Sequence, residues 1–119
     1  MATMQWGRLQ TDIDCALRRG GWYRVTAIGS LEATLDVGRK SQAVPTYLLQ
    51  IVSAPPRRWT VVPRPADAVR MPPDWTRYAV CPSCRERAAL PARRQPRTLT
   101  CGRCRGEFQV DWSEGYLAG

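Results

Sequence analysis

Apolar and polar residues alternate most cleanly where Leu31, Ala33, Leu35 and Val37 are separated by Glu32, Thr34 and Asp36. A period of two sends one set to a buried face and the other to water, which predicts a half-buried strand. Residues 22–28 are rich in aromatic and β-branched side chains and predict another strand, with Gly29-Ser30 as the break between them. Gly38-Arg39-Lys40-Ser41 reads as a turn. Tyr47, Leu49 and Ile51 then alternate with Leu48, Gln50 and Val52 in a third strand. Pro45 stands at its entrance, where a missing N–H does least harm. After Ala54-Pro55-Pro56, residues 59–62 make a fourth short strand. Short strands at such close spacing predict a small SH3-like barrel or a curled β-sheet domain.

Ahead of these strands the period changes. Ile13, Ala16 and Leu17 share a face at three- and four-residue spacing, and Thr11 can cap a helix whose first turn holds Asp12 and Asp14. Arg18 and Arg19 suit its end and Gly20-Gly21 stops it, so a short N-terminal helix of about two turns is expected. Cys15 would lie on it as a buried, inert thiol. Residues 63–74 hold four prolines and predict a stiff, extended linker. The expected organisation is a β-rich domain over 1–62, the linker over 63–74 and a second domain over 75–119.

Composition narrows the function. No apolar run approaches the roughly 20 residues that span a bilayer, so no membrane insertion is expected. The first residues lack the apolar stretch of a secretory signal, and a cytoplasmic protein is expected. The net charge of +8 comes from 17 arginines and one lysine, Lys40, against ten acidic residues. Two readings compete: a surface for phosphates or an acidic partner, and a coding bias that also enriches Ala, Pro and Gly. There is no histidine. That removes the commonest general base and every histidine-containing nucleophile pair or metal site, and the chain is not expected to be an enzyme.

Four of the five cysteines form two pairs, Cys81-Pro82-Ser83-Cys84 and Cys101-Gly102-Arg103-Cys104, separated by 16 residues. A two-residue gap lets both sulfurs of a pair turn onto one ion, and the insert is long enough for a hairpin to return the second pair beside the first. The spacing falls within the four-cysteine zinc pattern, so Cys81, Cys84, Cys101 and Cys104 are the expected ligands of one structural Zn2+. Iron can use the same thiolates. With four sulfurs bound, no position stays open for water.

From Tyr78 onward the text Tyr-Ala-Val-Cys-Pro-Ser-Cys, then Ala-Ala-Leu-Pro, then Leu-Thr-Cys-Gly-Arg-Cys-Arg-Gly-Glu-Phe-Gln-Val resembles the zinc-ribbon domains. The resemblance covers about 35 residues. It implies a strand entering each knuckle, a hairpin between them, the same four ligands, and Phe108 packed beside the site. Arg85 stands where such knuckles commonly carry glycine. Ribbons occur in transcription factors, polymerase subunits, ribosomal proteins and adaptors, so the resemblance speaks to metal and fold more than to function.

The insert and second knuckle carry Arg85, Arg87, Arg93, Arg94, Arg97, Arg103 and Arg105 against Glu86 alone. Such residues can follow a phosphate backbone, with Trp75, Tyr78 or Phe108 as stacking platforms. The expected partner is nucleic acid or a nucleic-acid-bound protein complex. The alternative is a protein complex only, with Trp6 and Trp112 as docking side chains and Trp22 and Trp59 in the core.

Overall fold

The computed structural model describes residues 4–13, 15–65, 71–90 and 97–117. The protein is mostly β, and it divides into two compact units, Met1–Pro56 and Arg57–Gly119, each built on one five-stranded sheet.

The first unit contains β1 (Gln5–Leu9), β2 (Tyr23–Ile28), β3 (Glu32–Val37), β4 (Lys40–Pro45), a single 3-10 turn (Thr46–Leu48) and β5 (Leu49–Val52). The strands order as β4-β3-β2-β1-β5, every neighbour antiparallel. One of the protein's two sheets is curled, and in this one a register shift between Val25 and Ala27 adds local bend in β2. The alternation of 31–37 is realised: Ala33 and Leu35 are fully buried with Leu9, Leu17, Tyr23, Val44 and Leu49. Leu31 precedes β3 and is 80% exposed.

β4 replaces part of the expected turn. Only Val44 of its six residues is buried, so it carries no apolar alternation that a sequence could reveal. Its pairing is set by the two-residue connection Gly38-Arg39, with φ of 56° and 73° and Val37 facing Lys40. Two successive positive φ values make the tight hairpin turn whose twist matches the flanking strands.

The expected N-terminal helix is absent among the described residues, and Asp14 lies outside them. Ile13 N–H donates to Thr11 O at 3.0 Å, two residues back instead of four. Ile13 and Leu17 still reach the core, while Ala16 is exposed. The segment is tied down as a loop: Arg18 N–H donates to the Tyr23 hydroxyl at 2.8 Å, and Arg19 pairs with Asp12. Two turns of helix are marginal without such tertiary support, and here the support fixes a loop instead. Cys15 is exposed, not buried.

The second unit contains β6 (Arg58–Pro63), β7 (Arg77–Val80), β8 (Arg87–Ala89), β9 (Thr98–Thr100) and β10 (Glu107–Asp111), in the order β8-β7-β6-β10-β9. β10 runs parallel to β6 and all other neighbours are antiparallel. The fourth strand expected in the first sheet is therefore the centre of the second. Residues 64–76 connect two adjacent strands of one sheet, β6 and β7, rather than two domains. Arg64 holds the end of that excursion, donating to the carbonyls of Pro72 (2.6 Å), Trp75 (3.0 Å) and Met71 (3.2 Å).

Apolar groups cover both faces of this sheet. Trp59, Ala79, Leu90 and Val110 form one cluster together with Cys81 and Cys101. Val62, Tyr78, Val80 and Tyr116 form the other. Trp59 is fully buried, and its indole N–H donates to Leu99 O at 3.1 Å, which satisfies its one polar atom. No helix among the described residues is long and apolar enough to cross a membrane.

Candidate metal centre

Strand alternation aims the first cysteine. Tyr78 and Val80 point to one face of β7, so Ala79 and Cys81 point to the other, beside Trp59 and Val110. The turn that follows is closed by backbone amides. Cys81 N–H donates to Glu86 O at 2.9 Å, Arg85 N–H to Cys81 O at 3.1 Å, and Ser83 N–H to Cys81 Sγ at 3.4 Å. The second pair repeats the pattern between β9 and β10. Cys101 N–H donates to Gly106 O at 2.9 Å, Arg105 N–H to Cys101 O at 2.9 Å, and Arg103 N–H to Cys101 Sγ at 3.4 Å.

Each turn needs one left-handed residue, directly after its second cysteine. Arg85 (φ 65°) and Arg105 (φ 62°) fill that place. A residue with a Cβ is disfavoured there by about 1–2 kcal/mol. Arginine in place of glycine at position 85 thus leaves the turn intact, at the expense of local strain, and the second turn bears the same strain.

The two turns bring four sulfurs together, all within 4.8 Å of one another. Cys81 Sγ stands 3.7 Å from Cys104 Sγ, and Cys84 Sγ 3.5 Å from Cys101 Sγ. A tetrahedron with metal–sulfur bonds of about 2.3 Å has edges of about 3.8 Å. The cluster therefore fits one metal ion without rearrangement, and the 3.5 and 3.7 Å separations are those of unbonded sulfurs, not of disulfides. All five cysteines are free.

No protein-family model, curated protein or solved structure matches the chain. The site rests on its own geometry.

Burial divides the ligands. Cys81 and Cys101, the first of each pair, are buried; Cys84 is half-buried and Cys104 exposed. Burial pushes the Cys81 thiol up to about 12, against the backbone N–H groups of Cys84 and Ser83 that favour its thiolate. Burial also raises Cys84. Cys101 feels burial as well, but amides of Cys104 and Arg103 and the sulfurs of Cys84 and Cys104 outweigh it and bring the thiol down to about 7. Metal binding must displace the protons that remain.

Phe108 packs against the cysteine cluster as expected. A Cβ at Gly106 would meet its ring at 2.6 Å and Cys104 Sγ at 3.5 Å. Glycine at 106, where the first turn has Glu86, lets the ring close over the turn beside the ligand.

The expected arginine ridge is split. Arg85, Arg103 and Arg105 belong to the two turns at the sulfur end, with Arg103 and Arg105 exposed and Arg85 half-buried. Arg87 is close by, its guanidinium 5.5 Å from the Tyr78 ring centroid. Arg97 is exposed ahead of β9, at the opposite end of that strand from Cys101, and Arg93 and Arg94 lie outside the described residues. The three residues of β9 set Arg97 about 10 Å from the sulfur end.

Of the expected stacking platforms, Tyr78 is closed at 1% exposed, while Trp75 and Phe108 are half-buried, and the Trp75 ring lies tilted against Tyr78 with centroids 6.4 Å apart. Trp22 and Trp59 are buried as expected. Trp6 and Trp112 are half-buried, and Trp112 packs on the second core under the Arg77 guanidinium, 4.8 Å from its ring centroid. Sequence reasoning missed Arg8, which is 2% exposed, lies 4.4 Å over the Trp22 ring and donates to Gln50 Oε1 at 2.6 Å. A basic residue in a short polar strand gave no signal of burial.

Proposed function

We propose that this protein is a four-cysteine zinc-ribbon binding protein that contacts nucleic acid, or a nucleic-acid machine, through its arginine-rich ribbon. The sulfur tetrahedron carries the reading. Four sulfur donors at these distances favour zinc, and the closed coordination makes it structural rather than catalytic. Each knuckle lies at the tip of a hairpin, β7–β8 and β9–β10, which supports the ribbon. In the first unit, the strand order with a 3-10 turn before the last strand supports an SH3-like barrel. The reading places the protein in the cytoplasm, where thiols stay reduced.

Charge decides where phosphate would be held. Four thiolates and a dication carry −2. Glu86 and Glu107 bring the acidic total at the knuckles to −4, which Arg85, Arg87, Arg103 and Arg105 balance. Outside the knuckles, residues 75–119 hold Arg77, Arg93, Arg94 and Arg97 against Asp111 and Glu114, so the excess positive charge rests mainly on Arg93, Arg94 and Arg97. The test is retention of the zinc-loaded protein on DNA or RNA. Changing Arg93, Arg94 and Arg97 together to Glu should abolish binding and its salt dependence. Changing Arg103 and Arg105 should weaken it less. Wild-type protein that fails to bind either nucleic acid at low salt would refute the reading.

One observation favours a protein partner as the second reading. Leu31 and Tyr47 are 80% and 74% exposed in the first unit, where Thr46, the neighbour of Tyr47 in sequence, donates its N–H to Leu31 O at 3.0 Å. Exposed apolar side chains of this size are common at protein contacts. Association with a protein that survives high salt would support that reading.

A further inference from the structure

The two knuckles share backbone hydrogen bonds, left-handed arginines and cysteine spacing, yet their second cysteines differ in exposure. Cys84 is half-buried while Cys104 is exposed. The turns also differ in sequence: the first carries Glu86 where the second has Gly106. The first cysteine of each pair offers no comparable access, since Cys81 and Cys101 are 0% and 1% exposed.

We propose that Cys104 is a modification site within the metal centre, the sulfur at which a small electrophilic oxidant such as hydrogen peroxide attacks, with Cys81 as its resolving partner. This rests on the metal-centre reading above. Thiolate reactivity follows access as well as charge, so the most exposed of the four cysteines sets the point of entry. Cys104 Sγ attacks one peroxide oxygen: an S–O bond forms, the O–O bond breaks, and hydroxide leaves. The sulfur is oxidised by two electrons to a sulfenic acid and the peroxide is reduced. Cys81 Sγ, 3.7 Å away, then attacks the sulfenic sulfur. An S–S bond forms, the S–O bond breaks and a second hydroxide leaves. Each hydroxide takes a proton from solvent. Two of four donors are lost, so the ion is released, and the new bond ties the first knuckle to the second. Reduction by a dithiol restores the site.

The experiment uses zinc-loaded full chain carrying Cys15→Ser, which removes the other exposed thiol. Substoichiometric hydrogen peroxide is added, released zinc is followed with a chromogenic chelator, and modified cysteines are mapped by peptide mass spectrometry. The expected result is a Cys81–Cys104 disulfide formed in step with zinc release. Histidine can replace a thiolate on zinc, so Cys104→His should keep the metal and slow peroxide-driven release by about tenfold relative to the Cys15→Ser protein. If the histidine variant does not fold, alkylation of the zinc-loaded Cys15→Ser protein by N-ethylmaleimide decides, with Cys104 expected to be labelled first. First modification at Cys84, or a disulfide that excludes Cys104, overturns the proposal and leaves the metal reading standing. A purified chain that takes up no zinc and whose four thiols react alike defeats the metal reading itself.

Discussion

The two five-stranded sheets reach stability by different routes. In the first unit a single apolar cluster built on Leu9, Ala33, Leu35 and Leu49 fills one side of an antiparallel sheet. In the second, both faces are covered, and one of the two clusters runs continuously from Trp59 and Val110 into Cys81 and Cys101. The strands beside those cysteines are short, three residues each for β8 and β9. Hairpins so small are marginal alone. The difference teaches that the second unit uses sulfur ligands where the first uses aliphatic carbon, so metal should be part of its folding energy and irrelevant to the first.

Removing one ligand should separate the units most sharply. Cys101→Ser should unfold 78–112 and leave β1–β5 protected, because metal binding in so small a unit supplies on the order of 10 kcal/mol. Limited proteolysis reads this directly, and a 78–112 segment as resistant as wild type would contradict it. Acid should act in the same direction: as pH falls, protons compete for the thiolates, the buried Cys81 most strongly, so zinc retention should decline.

Core truncations come next and should stay local. Trp59→Ala should destabilise the second unit by about 3–5 kcal/mol through its cavity, with the bond to Leu99 O lost as well. Leu35→Ala should lower the first by about 2–5 kcal/mol and leave zinc affinity unchanged. Urea melts followed by a chelator-accessible zinc signal would expose any cross-effect.

Smaller still is Arg64→Ala. It removes three carbonyl contacts that hold 71–75 against β6, and should cost about 1–3 kcal/mol in the second unit. The smallest effect has the opposite sign. Arg85→Gly and Arg105→Gly relieve a left-handed backbone and should each stabilise the loaded protein by about 0.5–1 kcal/mol. A loss at both positions in thermal melts would mean that the arginine side chains matter more than the strain.

What was legible in the sequence follows the same division. That Cys81, Cys84, Cys101 and Cys104 come together could be read from spacing alone, because a two-residue gap constrains sulfur positions whatever the flanking residues are. The buried face of β3 could be read because Ala33 and Leu35 alternate with Glu32, Thr34 and Asp36. β4 could not, since an edge strand needs only Val44 in the core. β1 was hidden by Gly7 and buried Arg8: a Cβ at position 7 would sit 3.4 Å from Leu35, and Arg8 is sheltered by Trp22. The periodic face of Ile13 and Leu17 pointed to a helix, but those side chains reach the core equally well from a loop held by Tyr23. The placement of β6 was invisible because a short apolar strand does not declare its sheet. Its partners β7 and β10 are 14 and 44 residues downstream of its end, a pairing set by tertiary packing.

Amide hydrogen exchange, run on the zinc-loaded protein before and after chelation, tests the central claim most directly. The account predicts that protection in β7, β8, β9 and β10 collapses when the ion is removed, while β1–β5 keep theirs. Protection in β7–β10 that survives chelation unchanged would contradict it, and would mean that Trp59 and its apolar neighbours hold the second sheet without metal.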